Sequence, residues 1–195
     1  PFTADDFIFW YKDIYLNDQL NPTKARWNEI GGEQGVWEKV DQYAFRVKFV
    51  KPYYMFLEEL ASLGVAGHFT RGGRAMGLFA PKHYLKQFHP KYVGLTQVNK
   101  LAKQQGYDSW AQLFKFKNSP KLNIDCPVTT PWVVTNPLNT TQLVLERNPY
   151  YFGVDTVGNQ LPYIDRIVMT LAQNLEVLNL WAIAGEYDFQ SRHID

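Results

Sequence analysis

The chain has 195 residues, with 20 basic against 19 acidic side chains and a net charge of +1. So even a balance gives no electrostatic case for a nucleic-acid partner, and 46% hydrophobic residues argue against disorder. No stretch approaches the ~18 consecutive apolar residues of a membrane span. The length suits one large domain or two small ones.

Aromatic residues are the departure from an ordinary composition: 13 Phe, 12 Tyr and 6 Trp make up 16% of the chain. Such side chains bring large buried areas, and they also line clefts that hold extended organic ligands. The lone Cys126 excludes an internal disulfide and leaves the compartment open. Pro1 opens directly on a helix start without Met or a signal peptide, and Asp195 falls where a strand-like segment finishes. The expectation is a piece of a longer protein, so the lack of a targeting segment says nothing of location.

Thr3 is a good helix N-cap, followed by Asp5 and Asp6, which complement the helix dipole. Phe7, Trp10, Tyr11, Ile14 and Tyr15 recur at helical spacing, predicting a helix over 4–17, with Phe2 and Phe7 placed as a hydrophobic staple. Residues 18–35 turn to Asn, Pro and Gly and read as a long loop. Alternation over 36–41 and 43–50 predicts an antiparallel pair turning near Asp41-Gln42. A short helix over 53–64 stops at Gly64, and a glycine-rich loop, "GHFTRGGRAMG", follows.

Three helices are expected at about 80–87, 95–105 and 108–116, then a loop over 117–130. "PWVVT" and "QLVLER" predict a hairpin around Asn136–Asn139. After the connector "ERNPYYFGVDTVGNQLPYIDRI" comes "IDRIVMTL", a nearly continuous apolar run of the kind found in buried strands. Its Tyr150 and Tyr151 are expected to pack. A helix over 174–184, capped by Gly185, and a final strand "YDFQ" complete a βαβ unit, which implies a mostly parallel sheet. The part before 118 is thus mixed α+β and the C-terminal third α/β, with a boundary near 118–131.

Chemistry is not signposted. The loop at 67–77 carries Arg71 and Arg74 among glycines but lacks the flanking strand, helix and Lys-Ser/Thr pair of a phosphate cradle. The four histidines lack metal-ligand spacing, and no nucleophile elbow is present. Glu58, Glu59, Asp5 and Asp6 read as exposed faces or caps. "NTT" at 139–141 fits the glycosylation tripeptide. Cys126 has no neighbouring base in sequence and reads as a small buried or strand-edge residue. This pattern favours binding over catalysis and implies no cofactor.

Several segments carry a resemblance. "PFTADDFIFWYKDI" at 1–14, "YAFRVKFVKPYYMFLEELA" at 43–61 and "APKHYLKQFHP" at 80–90 resemble extracellular solute-binding proteins of the peptide/nickel-binding family, the receptors of ABC importers. "LVLERNPYYFGVDTVGNQLPYIDRIVMTL" and "LNLWAIAGEYDFQ" resemble that family's most specific signature, and the segments occur in the family's order. The resemblance implies a partial periplasmic-binding-protein fold, α/β with an extra α+β lobe. Residues 1–125 would form the extra lobe and 126–195 part of the first α/β lobe up to the hinge, with the second lobe missing. Thr130-Pro131-Trp132 stands where Gly-Pro-Tyr is common, and "GVDTVGNQ" lengthens the connector. Both features resemble the subgroup that includes oligosaccharide binders.

The function implied is capture of an oligopeptide or oligosaccharide by cleft closure, in the periplasm or outside the cell, for delivery to ABC permease subunits. No nucleic acid is involved, and a membrane is met only through any lipid anchor outside this piece. The ligand-binding residues expected are Trp132, Gln190, Arg192 and His193. Trp132 would stack on an apolar ligand face, and Arg192 would donate to a carboxylate or sugar hydroxyls. Two other readings are a carbohydrate-active enzyme and a sensory or chaperone-like receptor on the same fold.

Overall fold

Thr3 caps the first helix, α1 (Ala4–Phe9), by accepting from the Asp5 amide at 3.3 Å. Asp6 closes the capping box by accepting from the Thr3 amide at 2.9 Å. The other oxygen of the buried Asp6 carboxylate accepts from Lys82 N at 3.0 Å, so one side chain serves the starts of two helices. The computed structural model describes residues 1–61 and 77–190. These fall into two units, Pro1–Thr130 and Pro131–Asp195.

In the first unit the predicted helix 4–17 changes character at Trp10. Residues Trp10–Tyr15 form a wider π-helical turn, seen in the bond from Leu16 N to Tyr11 O at 3.0 Å. This turn brings Trp10, Tyr11, Ile14 and Tyr15 all into the core. The loop over 18–35 contains structure of its own: a 3₁₀ turn (Arg26–Asn28) and a two-residue hairpin, β1 (Glu29–Ile30) with β2 (Glu33–Gln34). Gly31 and Gly32, at φ 67° and 82°, supply the positive dihedrals that such a tight hairpin turn requires.

The predicted antiparallel pair is present as β3 (Val36–Lys39) and β4 (Phe45–Lys48). Asp41 makes its turn, accepting from the amides of Tyr43 and Ala44 at 2.7 and 2.9 Å. Trp37 on β3 is fully buried and stacks on Phe45 of β4 at 5.2 Å, while Trp10 meets Trp37 edge-on at 5.3 Å. Phe45 in turn stacks on Phe7 of α1 at 4.5 Å. The staple holds too: Phe2 lies 5.2 Å from Phe7.

Asn28 is the polar hub beneath this aromatic layer. It is fully buried, donates to Gly35 O at 3.2 Å and accepts from Trp37 Nε1 at 3.0 Å. Gly35 returns a bond from its amide to Asn28 O at 2.6 Å. Every polar atom of the Asn28 side chain is thereby used, which its burial demands.

Helix α2 (Phe56–Ala61) occupies part of the predicted 53–64 segment. Most of the glycine-rich loop, with Arg71 and Arg74, lies outside the described residues. The helical stretch that follows comprises α3 (Lys82–Leu85) with a 3₁₀ extension, α4 (Pro90–Val93), α5 (Leu95–Gln104) and α6 (Trp110–Lys117). The short α4 adds to the three helices expected, with Pro90 at its first turn and His89 as its cap. Val98 and Ala102 of α5, and Leu113 and Phe114 of α6, complete the core. Burying each large side chain of this set fully is worth about 1.5–3 kcal/mol.

The second unit holds one three-stranded sheet of β5 (Trp132–Val134), β6 (Gln142–Arg147) and β7 (Arg166–Thr170), followed by α7 (Leu175–Ile183). Asn174 caps α7 by accepting from Val177 N at 2.9 Å, and Gly185 sits just past its end at φ 73°. The expected βαβ unit is not formed among the described residues. All three strands pair antiparallel, and Tyr187–Gln190 is coil. Tyr187 turns in against Trp181 of α7, ring edge to face at 6.0 Å, instead of extending into a ladder. The apolar run on β7 is not buried either. Val168, Met169 and the following Leu171 are exposed, because no described element of this unit lies over them.

Candidate functional site

Trp132 opens the edge strand β5, where β-branched Val133 and Val134 favour the extended backbone. It stands opposite Arg147 of β6. Its indole Nε1 donates to Ile164 O at 3.0 Å, pinning the ring to the far end of the connector. The ring is half-buried, so its orientation is set before any ligand arrives. Gln190, also half-buried, lies in the coil that follows α7. Arg192 and His193 lie outside the described residues. Of the four residues expected at the site, the structure therefore places two, both in the second unit.

The connector itself is more ordered than its sequence suggests. Its base is closed by Arg147, which pairs with the Asp165 carboxylate at 3.3 Å and donates its amide to Asp165 O at 2.8 Å. Midway, Val154 bridges Gln160, and Gln160 Nε2 donates to the carbonyls of Pro149 and Tyr151 at 2.9 and 2.8 Å. Pro162 follows a cis peptide bond.

At the tip, Asp155 gathers four donors. Oδ1 accepts from the amides of Val157 and Asn159, while Oδ2 accepts from Asn159 Nδ2 and the Tyr163 hydroxyl. The Tyr163 bond, foremost among these, holds the Asp155 carboxyl well below the usual carboxylate range. The same bond pushes the Tyr163 phenol up. A carboxylate so fully engaged is a structural brace. It has no lone pair left over for proton abstraction.

Contrary to expectation, Tyr150 does not pack. It is 92% exposed, and Phe152 is 79% exposed. Asn148 explains the outward turn: its buried side chain accepts from Tyr150 N at 3.0 Å, an Asx turn that directs the following residue to solvent. Sequence reasoning missed the Asp155 brace, although Asp-x-x-Gly-Asn in a loop is a signal for this kind of turn.

The first unit holds one cluster of titratable groups that sequence inspection also missed, because its members lie more than seventy residues apart. Buried Asp13 receives Lys91 Nζ on one oxygen and the Tyr92 hydroxyl on the other, both at 2.5 Å. His89 Nε2 meets Asp13 O at 3.0 Å, while its Nδ1 accepts from Lys91 N at 3.3 Å. Burial pushes the His89 imidazole below its ordinary value, and burial aided by Asp13 pushes the Tyr92 phenol far up. Cys126 is buried, and its thiol is pushed up to about 12, as expected of an inert core cysteine. Among the described residues no group of three His, Cys, Asp or Glu is placed to hold a metal ion.

The chain belongs to the bacterial extracellular solute-binding proteins, family 5, whose middle region it matches along residues 1–194. It is 31% identical over 191 residues to the periplasmic alpha-galactoside-binding protein of Rhizobium meliloti (strain 1021), covering 98% of this chain and 24% of that protein. Among solved structures it resembles an oligopeptide-binding protein OppA, at 40% identity and a TM-score of 0.83, over 99% of this chain and 28% of that one. It also resembles the periplasmic binding protein MelB of Agrobacterium fabrum C58, solved in complex with stachyose. There the identity is 26% and the TM-score 0.65, over 97% of this chain and 24% of that one. The chain thus spans about a quarter of the length of these relatives, and its fold is part of the periplasmic-binding-protein fold.

Proposed function

We propose that this chain is part of the receptor of an ABC importer, which captures an oligopeptide or an oligosaccharide outside the cytoplasmic membrane and delivers it to permease subunits. The observation that carries this reading is the family match along residues 1–194, from the first capped helix to the end of the chain. Relatives named for an alpha-galactoside, for stachyose and for oligopeptides support an oligomeric ligand of either class.

In this reading residues 1–125 are the extra lobe and 126–195 part of the first α/β lobe up to the hinge. The ligand is held by closure of one lobe on another, a hinge motion driven by contacts made to both sides. Trp132 offers a ring face, since its only hydrogen-bond donor is committed to Ile164. It contributes stacking on a sugar face or an apolar side chain rather than a polar contact. Gln190, Arg192 and His193 supply donors at the chain's hinge end. The protein binds without chemical conversion.

The test is a thermal-shift and calorimetric screen of the full-length protein against stachyose, smaller alpha-galactosides and a series of short peptides. One class should raise the melting temperature in proportion to ligand concentration, and the ligand should be recovered unchanged. Enzyme-like turnover of any of these compounds would sink the receptor reading.

A further inference from the structure

The near-neutral total charge conceals a strong segregation. Between residues 80 and 125 there are eight lysines, no arginine, and only Asp108 and Asp125 to oppose them, a net +6 inside a chain of net +1. Two of these lysines are neutralised within the first unit: Lys82 by Asp5 at 3.2 Å and Lys91 by Asp13. Lys86, Lys100, Lys103 and Lys115 have no carboxylate partner among the described residues. Lys117 has instead placed its ammonium 5.3 Å from the Phe88 ring.

Lys100 and Lys103 form the centre of this basic surface. Lys100 and Lys103 lie three residues apart, on the face of α5 opposite the buried Val98 and Ala102. They line an open concavity of about 570 Å³ together with Leu95, Thr96, Asn99 and Gln104. A second, of about 270 Å³, shares Lys100 and Gln104 and reaches Gln87, the neighbour of Lys86. No carboxylate lines either concavity.

We propose that this lysine surface on α5 and the turns beside it docks the protein onto an anionic lipid bilayer. The concavities are open ones, and Lys100 and Lys103 carry their ammonium groups on long flexible stems. A bilayer asks for charge density and not for a matching shape. Each lysine near an anionic surface adds about 1 kcal/mol, or roughly fivefold in affinity, and the attraction dies away within a Debye length. Leu95, exposed at the rim, adds a small apolar contact. An acidic polypeptide would need carboxylates placed to suit this particular spacing, which makes it the lesser fit.

The experiment is co-sedimentation of the full-length protein with phosphatidylglycerol/phosphatidylethanolamine vesicles, against neutral phosphatidylcholine vesicles that subtract any lipid anchor. Binding should favour the anionic vesicles at low salt and disappear as salt is raised. The double variant Lys100→Gln/Lys103→Gln should bind roughly 25-fold more weakly, at about fivefold per lysine, with an unchanged melting temperature. Lys48→Gln, on the β3–β4 hairpin, should bind as the parent does. Equal binding to both vesicle types, or an unaffected double variant, would overturn the proposal. So would binding of soluble polyglutamate without vesicle binding, which would transfer the surface to an acidic protein partner.

Discussion

Asp155 and Tyr163, eight residues apart, are joined by a 2.6 Å hydrogen bond that ties the tip of the long connector to its descending arm. Tyr163 is exposed and Asp155 only half-buried, so the bond shapes the loop while burying little. Tyr163→Phe should leave the melting temperature almost unchanged. Withdrawing the donor removes the largest influence favouring the charged carboxylate, so the Asp155 titration midpoint should rise towards its ordinary 3.8. An NMR pH titration of the Asp155 carboxyl reads this directly. A midpoint that stays where it was would show that the backbone amides of Val157 and Asn159 hold the charge by themselves.

His89 should make the first unit sensitive to acid. Both ring nitrogens are committed in the neutral tautomer, Nε2 donating to Asp13 O and Nδ1 accepting from Lys91 N. The imidazole faces Asp13, which favours its charge, and Lys91, which opposes it; burial outweighs both and lowers its pKa from 6.5. The unfolded chain therefore takes up a proton that the folded chain refuses. Stability should be level above about pH 6.5 and fall as the pH drops below it. Thermal melts from neutral to mildly acid pH check this, and His89→Leu should give a lower but flatter profile.

Gly35 sits where a side chain has no room. A Cβ there would lie 2.5 Å from Phe49 Cε1 and 2.7 Å from Asn28 Oδ1, against both the ring and the polar hub. Gly35→Ala should cost about 1–3 kcal/mol in denaturant unfolding, the usual range for overpacking. Gly106→Ala, with nothing within 4 Å but a φ of +83°, should cost about 1 kcal/mol through backbone strain alone.

Trp132 separates stacking from positioning. In the full-length protein Trp132→Ala should weaken ligand binding about tenfold, in line with the loss of one aromatic platform. Trp132→Phe keeps a ring face but loses the bond to Ile164 O, and should fall between the two. Calorimetry on the ligand found in the screen decides it. Unchanged affinity in Trp132→Ala would remove this residue from the site.

Local signals carried the sequence reading furthest. The Thr3 cap, the Phe2–Phe7 staple, the β3–β4 hairpin and the Asn174–Gly185 limits of α7 each depend on residues a few positions apart, and each stands in the structure. What escaped was non-local or conditional. The π-helical turn at Trp10 breaks helical spacing by a single residue, which periodicity over one or two turns does not resolve. The Asp13–His89–Lys91–Tyr92 cluster joins segments that only folding brings together. The apolar pattern of β7 and the strand-like "YDFQ" express a tendency to be covered or paired, and a tendency becomes structure only where a neighbour exists. Of the site, Trp132 and Gln190 could be located; of the two tyrosines expected to pack, Tyr151 is half-buried while the Asx turn at Asn148 sends Tyr150 out.

Every buried hydrophobic side chain among the described residues belongs to the first unit, from Ala4 to Cys126. The two units therefore differ in kind. The first owns the oily interior that makes unfolding a cooperative event with a heat signature. The second is held by ladder bonds, turns and caps, and carries Phe152, Val157, Leu171, Ile183 and Phe189 outward like an unprotected adhesive. Produced alone, a 1–130 polypeptide would behave as a small protein, whereas 131–195 would cling to dyes, vessel walls and its own copies.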